Sequence, residues 1–201
     1  MSATRSTTSK NTRQIILDQA EALFSKQGYG GTTLDHIASA VGIKRPSLIY
    51  HFSDKEELYE AMLEQVFLRQ REFFSNSNES TLAPDHHINL LLDHWLDYAL
   101  LEPNYLRLFL HNLAAGYQAD GLFWKQARPI VRLWEAALLR GARQGVFREV
   151  DLIHFLSIVG GMTAYYILMQ SEDKPLDNGS SAWQEFSSQL RQSINSLILK
   201  P

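Results

Sequence analysis

Apolar positions recur every three to four residues along most of this chain, and no run alternates with period two over a useful length. That periodicity predicts a chain that is helical throughout. Asn11 and Gln14 have capping-box spacing ahead of Ile16, Ala20, Leu23 and Phe24, with Gly28 as the expected stop. A short helix is expected from Thr33, carrying Leu34, Ile37, Ala38 and Val41 and ending at Gly42. Pro46 fits the first turn of a third helix, which makes Arg45 its expected N-cap. Ser53 and Glu56 read as the box that opens a long helix through Leu58, Met62, Val66 and Phe73.

Ser75–Thr81 is polar and is the best candidate boundary. Beyond it, Ile88, Leu91, Leu92, Trp95, Leu96 and Ala99 form one stripe, and Tyr105, Leu106, Phe109, Leu110 and Leu113 a second after Pro103. Pro129 is expected to begin or kink the next helix, whose stripe is Ile130, Leu133, Trp134, Ala137 and Leu138, with Gly145 closing it. Asp151 reads as the N-cap of a helix through about Gln170, and Ser181 with Gln184 boxes the last one. The fold class is therefore all-α, with about nine helices. The expected division is a basic tail and helix-turn-helix over residues 1–52, a connecting helix over 53–74, and a C-terminal domain over 75–201.

Composition narrows the function. With 201 residues and 45% hydrophobic content the chain can bury a substantial core. It has no cysteine, which excludes disulfide frameworks, thiolate metal sites and thiol nucleophiles. The apolar runs are short, so no membrane span is expected, and the polar start offers no signal-peptide core; a cytoplasmic location is expected. Overall charge is −3, but residues 1–52 carry six Lys/Arg against three Asp/Glu, while the remainder is net acidic. A basic front on an acidic body points to one end that meets a polyanion.

The stretch between Thr32 and Glu57 has the parts of a helix-turn-helix: a small apolar wedge (Ile37, Ala38, Val41, Ile43, Leu48), a turn glycine at position 42, and a short second helix presenting Lys44, Arg45, Ser47, Tyr50 and His51. Such a polar helix contributes little by burial, and contact with a DNA groove explains it better. Tyr50 and His51 could instead pack on the first helix.

Three segments, Thr32-Thr33-Leu34-Asp35-His36-Ile37-Ala38, Gly42 to Phe52, and Ser53-Asp54-Lys55-Glu56-Glu57-Leu58, resemble the TetR family of bacterial transcriptional regulators. Ile49 stands where that family usually has a tyrosine. The resemblance implies that Thr33 and the amides at its helix start hold a phosphate, that Lys44, Arg45, Ser47 and Tyr50 face the major groove, and that His51 and Lys55 touch backbone. It places Arg45 best for paired hydrogen bonds to a guanine edge, with Arg5 and Lys10 adding salt-sensitive contacts from the tail. It also implies a C-terminal domain that binds a small apolar or aromatic effector, with Trp95, Tyr98, Phe109, Trp134 and Tyr166 as candidate lining residues. The expected assembly is a homodimer through the last two helices on a near-palindromic operator, most simply as a repressor. Gly160-Gly161 would let a partner helix approach, or mark a crossing within one chain. No cofactor is expected.

A different class is weighed beside it: a helical metal enzyme using His86, His87 and His94 with Asp93 and Asp97. The spacing is unlike known ligand motifs. A DNA-binding dimer without an effector, governed by a protein partner, is the other alternative.

Overall fold

The computed structural model describes residues 3–77, 81–116, 121–170 and 177–200. Its helices are α1 (Ala3–Gly31), α2 (Leu34–Val41), α3 (Arg45–His51), α4 (Lys55–Phe73), α5 (Pro84–Leu101), α6 (Pro103–Ala114), α7 (Leu122–Arg143), α8 (Leu152–Leu156), α9 (Met162–Leu168) and α10 (Ser181–Ile198). Among the described residues the extended pairing is limited to one antiparallel bridge, Phe147 with Leu199. The all-α expectation holds.

Several boundaries differ from the sequence expectation, each for a local reason. Helix α1 begins at Ala3 rather than near Asn11, since residues 3–10 contain neither Pro nor Gly to stop it. The expected stop at Gly28 is a break, with φ 71° and ψ 171°, after which one further turn forms. Lys44, not Arg45, caps α3; Arg45 and Pro46 are already in its first turn. The box on α4 is shifted by one residue. Asp54 accepts from the Glu57 amide at 2.9 Å, and the Glu57 carboxylate accepts from the Ser53 amide and hydroxyl, each at 2.7 Å. These bonds hold both carboxyls below the usual range: for Asp54 chiefly the Glu57 amide, for Glu57 chiefly the Ser53 hydroxyl. Pro129 lies inside α7 rather than starting it, because its missing N–H deprives only one carbonyl of a partner. Ser180, not Ser181, caps α10 by accepting from the Trp183 amide. A turn from Asp177 to Ser180 brings that hydroxyl to the helix mouth.

The chain forms two compact units, residues 1–68 with 107–126, and residues 69–106 with 127–201. This grouping departs from the expected cuts at residues 52 and 75, and Ser75–Thr81 lies partly outside the described residues. The inclusion of 107–126 in the first unit has visible causes. The His111 imidazole Nε2 lies 3.1 Å from the Ser25 carbonyl, Asn112 donates to the Tyr59 hydroxyl at 3.0 Å, and Phe123 packs edge-on against Phe67. The first unit buries Ile16, Ala20 and Phe24 of α1, Ile37 of α2, Leu48 of α3 and Leu58, Met62 and Leu63 of α4.

The second unit is built round α5, whose Ile88, Leu91, Leu92, Trp95 and Tyr98 are buried. Helices α9 and α10 both pack on α5. Between α8 and α9 the helix loosens into one π-helical turn, Ser157–Gly161, which contains the Gly160-Gly161 pair. Just beyond it Thr163 donates to the Val159 carbonyl at 2.6 Å and accepts the Trp95 indole N–H at 3.1 Å.

Candidate nucleic-acid interface

The paired threonines do two separate jobs. Thr32, fully buried, donates to the Gly28 carbonyl at 2.9 Å and so satisfies the end of α1. Thr33 accepts from the His36 amide at 3.2 Å and caps α2. The Leu34 and Asp35 amides have no partner within the helix and stand at the positive end of its dipole, where a phosphate would be favoured.

Helix α2 ends by a Schellman turn. Gly42 adopts the left-handed conformation (φ 76°), its amide bonds Ser39 and the Ile43 amide bonds Ala38. The chain reverses there and delivers Lys44 to the start of α3. Leu48 is the single buried residue of that helix, a plug wholly removed from solvent. Lys44, Arg45, Ser47 and Tyr50 are all exposed, Tyr50 to 82%. The structure therefore brings these four expected residues to the surface of one short helix. Tyr50 is therefore not packed away as a core residue would be, while His51 is half-buried and meets the Tyr50 ring edge-on at 5.3 Å. Ile49, at the position that departs from the family pattern, is 42% exposed. Phe52 is core, with the Arg13 guanidinium 4.8 Å above its ring.

Two expected contacts have other partners in this structure. The Lys55 ammonium sits 4.1 Å over the Tyr29 ring, a cation–π contact that turns it toward α1. Arg45 Nη1 donates to Asp35 on α2 at 2.9 Å. Asp35 was not among the expected site residues; the signal was its position as the single acid between Glu21 and Asp54. The side chains of Arg5 and Lys10 lie outside the described residues, though their backbone is part of α1 and not of a loose tail.

With this geometry in view, the comparisons with known proteins are direct. The family model for bacterial regulatory proteins, tetR family, matches residues 16–62. Residues 16–62 are a tetR-family domain. The chain is 38% identical over 96 residues to the biofilm operon icaADBC negative transcriptional regulator IcaR of Staphylococcus aureus strain Newman, covering 47% of this chain and 50% of that one. It thus spans about half the length of the curated relatives it matches. Among solved structures, the ketosteroid transcriptional regulator KstR2 of Mycobacterium tuberculosis superposes with TM-score 0.71 at 21% identity, over 94% of this chain and 95% of that one. A TetR transcription regulator from Haloarcula marismortui gives TM-score 0.66 at 19% identity, over 94% and 99%. Over almost its whole length the chain therefore shares the fold of these solved structures.

Of the five expected effector residues, Tyr166 borders an open groove and the others pack within their own units. Trp95, Tyr98 and Trp134 are buried among neighbours: Trp95 is hydrogen-bonded to Thr163, Tyr98 meets Tyr105 edge-on at 5.6 Å, and Trp134 lies 5.5 Å from Phe155. Phe109 belongs to the first unit, against Phe123 and Trp124. Tyr166 stacks on Phe186 at 4.0 Å and donates to the Ala182 carbonyl, beside an open groove of about 420 Å³. Aromatics at helical spacing interlock with each other before they leave room for a ligand.

The buried group that sequence reading passed over is Gln70. It is fully buried on the α4 stripe that continues Leu63, Val66 and Phe67, and neither amide atom makes a hydrogen bond of good geometry. Tyr105 lies beside it; burial pushes that phenol up to about 12, countered in part by the Gln70 amide. The alternative metal cluster is not assembled among the described residues. His87 Nδ1 accepts from the Arg140 guanidinium at 3.0 Å, and His94 meets the rings of Phe73 and Phe74. Nor is any described helix long and apolar enough to cross a membrane.

Proposed function

We propose that this chain is a DNA-binding transcriptional regulator, most simply a repressor, which docks α3 into the major groove as a two-fold dimer. One observation carries the reading: α3 spends one residue on the core and turns its cationic and hydrogen-bonding side chains outward. A helix with so little buried surface is held for what it presents, and its capped neighbour α2 offers phosphate-binding amides beside it. The named relative that covers this same part of the chain is a negative transcriptional regulator, which supports repression over activation.

The dimer reading rests on α8 and α9. Ile153, Met162, Tyr165 and Met169 are 76%, 44%, 70% and 65% exposed, an apolar strip that water disfavours. Gly161 adds open space beside it for a close neighbour. Two copies related by a two-fold axis would set two α3 helices about 34–36 Å apart on a near-palindrome.

Selection from a pool of random-sequence duplexes about three helical turns long tests the reading. One near-palindrome should be enriched, with affinity falling steeply as salt rises. Arg45→Ala should cost about 1–3 kcal/mol at one base pair and relax the preference there. Enrichment of no sequence would defeat the proposal.

Regulation by a small effector is supported by Gln70. A buried amide whose hydrogen bonds are poorly made costs up to about 1–3 kcal/mol, part of which a ligand atom could remove. Gln70→Leu is therefore expected to raise the unfolding midpoint of the free protein. It should also abolish the stabilisation given by any hit from a panel of small aromatic alcohols and amides, read by thermal shift. Lower stability of the leucine variant, or an unchanged ligand shift, would remove Gln70 from this role.

A further inference from the structure

We infer that Asp35 is a positioning residue for sequence discrimination, aligning Arg45 on the surface of α3 and disfavouring indiscriminate docking on phosphate; this rests on the proposed DNA reading. The Arg45–Asp35 pair joins the two helices of the helix-turn-helix through Nη1 at 2.9 Å, with side chains 54% and 60% exposed. Pairs so open to water contribute little to folding, so the fold does not require this one. Its consequence is directional. A guanidinium is a rigid planar fork, and a carboxylate on one corner fixes the plane while leaving other N–H groups to donate. An arginine so held loses less rotational freedom when it meets a guanine edge.

The carboxylate has a second effect through its place in the first turn of α2, next to the amides that the Thr33 cap leaves free. A phosphate approaching those amides also approaches a negative charge. Docking on any duplex is thereby weakened, while docking that seats Arg45 on its base recovers the loss. A repulsive element combined with an aligned attractive one increases the difference between right and wrong sequences more than it increases affinity.

The test uses the duplex that the full-length protein enriches from a random-sequence pool, the same duplex with the guanine pair read by Arg45 replaced, and an unrelated duplex. Fluorescence anisotropy is measured for the parent, Asp35→Asn, Arg45→Ala and the double variant. Asp35→Asn should lower discrimination at that base pair by roughly three- to tenfold, bind the unrelated duplex at least as tightly as the parent, and leave the unfolding midpoint unchanged. Adding Asp35→Asn to Arg45→Ala should cost no further discrimination. Asp35→Ala should behave like the asparagine variant, and serves in its place if the latter folds poorly. If Asp35→Asn keeps the parent's preference while Arg45→Ala loses it, the inference fails and the DNA reading stands. If Asp35→Asn tightens all three duplexes equally, the carboxylate only holds Arg45 back, which also overturns it. If the parent enriches nothing, both fail together.

Discussion

Replacing Gly141 with alanine is expected to destabilise the protein by about 3 kcal/mol, the upper part of the range for overpacking a core. The cause is a contact between the end of α7 and the residues that follow it. Gly145 takes the left-handed conformation (φ 77°), which folds the chain back so that the amides of Val146 and Phe147 both bond the Gly141 carbonyl, at 3.0 and 3.1 Å. Those bonds lay the Phe147 ring, 1% exposed, directly over the Gly141 Cα. A methyl group at position 141 would occupy the space of that ring. The ring has nowhere to retreat, because the bridge to Leu199 and the Arg148 amide bond to Ile198 (2.7 Å) hold its backbone.

A double variant separates this cause from a general intolerance of the position. Phe147→Ala alone should cost about 3–5 kcal/mol through lost burial and a cavity. In that background Gly141→Ala should reverse sign and stabilise by up to about 1 kcal/mol, since alanine is the better helix former once the ring is gone. Chemical denaturation of the four proteins gives the cycle. A Gly141→Ala cost that persists without the ring would refute the packing explanation.

The largest functional effect is expected from Met162→Lys combined with Tyr165→Glu. Both side chains are exposed on α9, and neither belongs to the buried core, so the fold should be retained. If α8 and α9 form the interface, charges there should leave a monomer by sedimentation. Affinity for the selected two-half-site duplex should then fall by about 10²–10⁴, because the second α3 no longer benefits from effective concentration. Binding to a single half-site should be little changed. A double variant that remains dimeric, or a monomer that keeps full affinity, would contradict the assignment.

The sequence by itself determined the class of the fold and the place of the helix proposed to face DNA, because both are written in local rules. The 3.6-residue periodicity, the capping Thr33, the reversing Gly42 and the anchoring Leu48 on α3 act within a few residues of each other. Only the tertiary structure could decide matters that join distant positions. It pairs Arg45 with Asp35, seats Lys55 on Tyr29, groups residues 107–126 with the first unit, buries Trp95, Tyr98 and Trp134 as packing, and leaves the Gln70 amide without good partners. An aromatic or a glutamine on an apolar stripe reads the same whether its neighbour is a side chain or a space. The neighbour is supplied by chain closure between segments far apart in sequence, which no local pattern encodes.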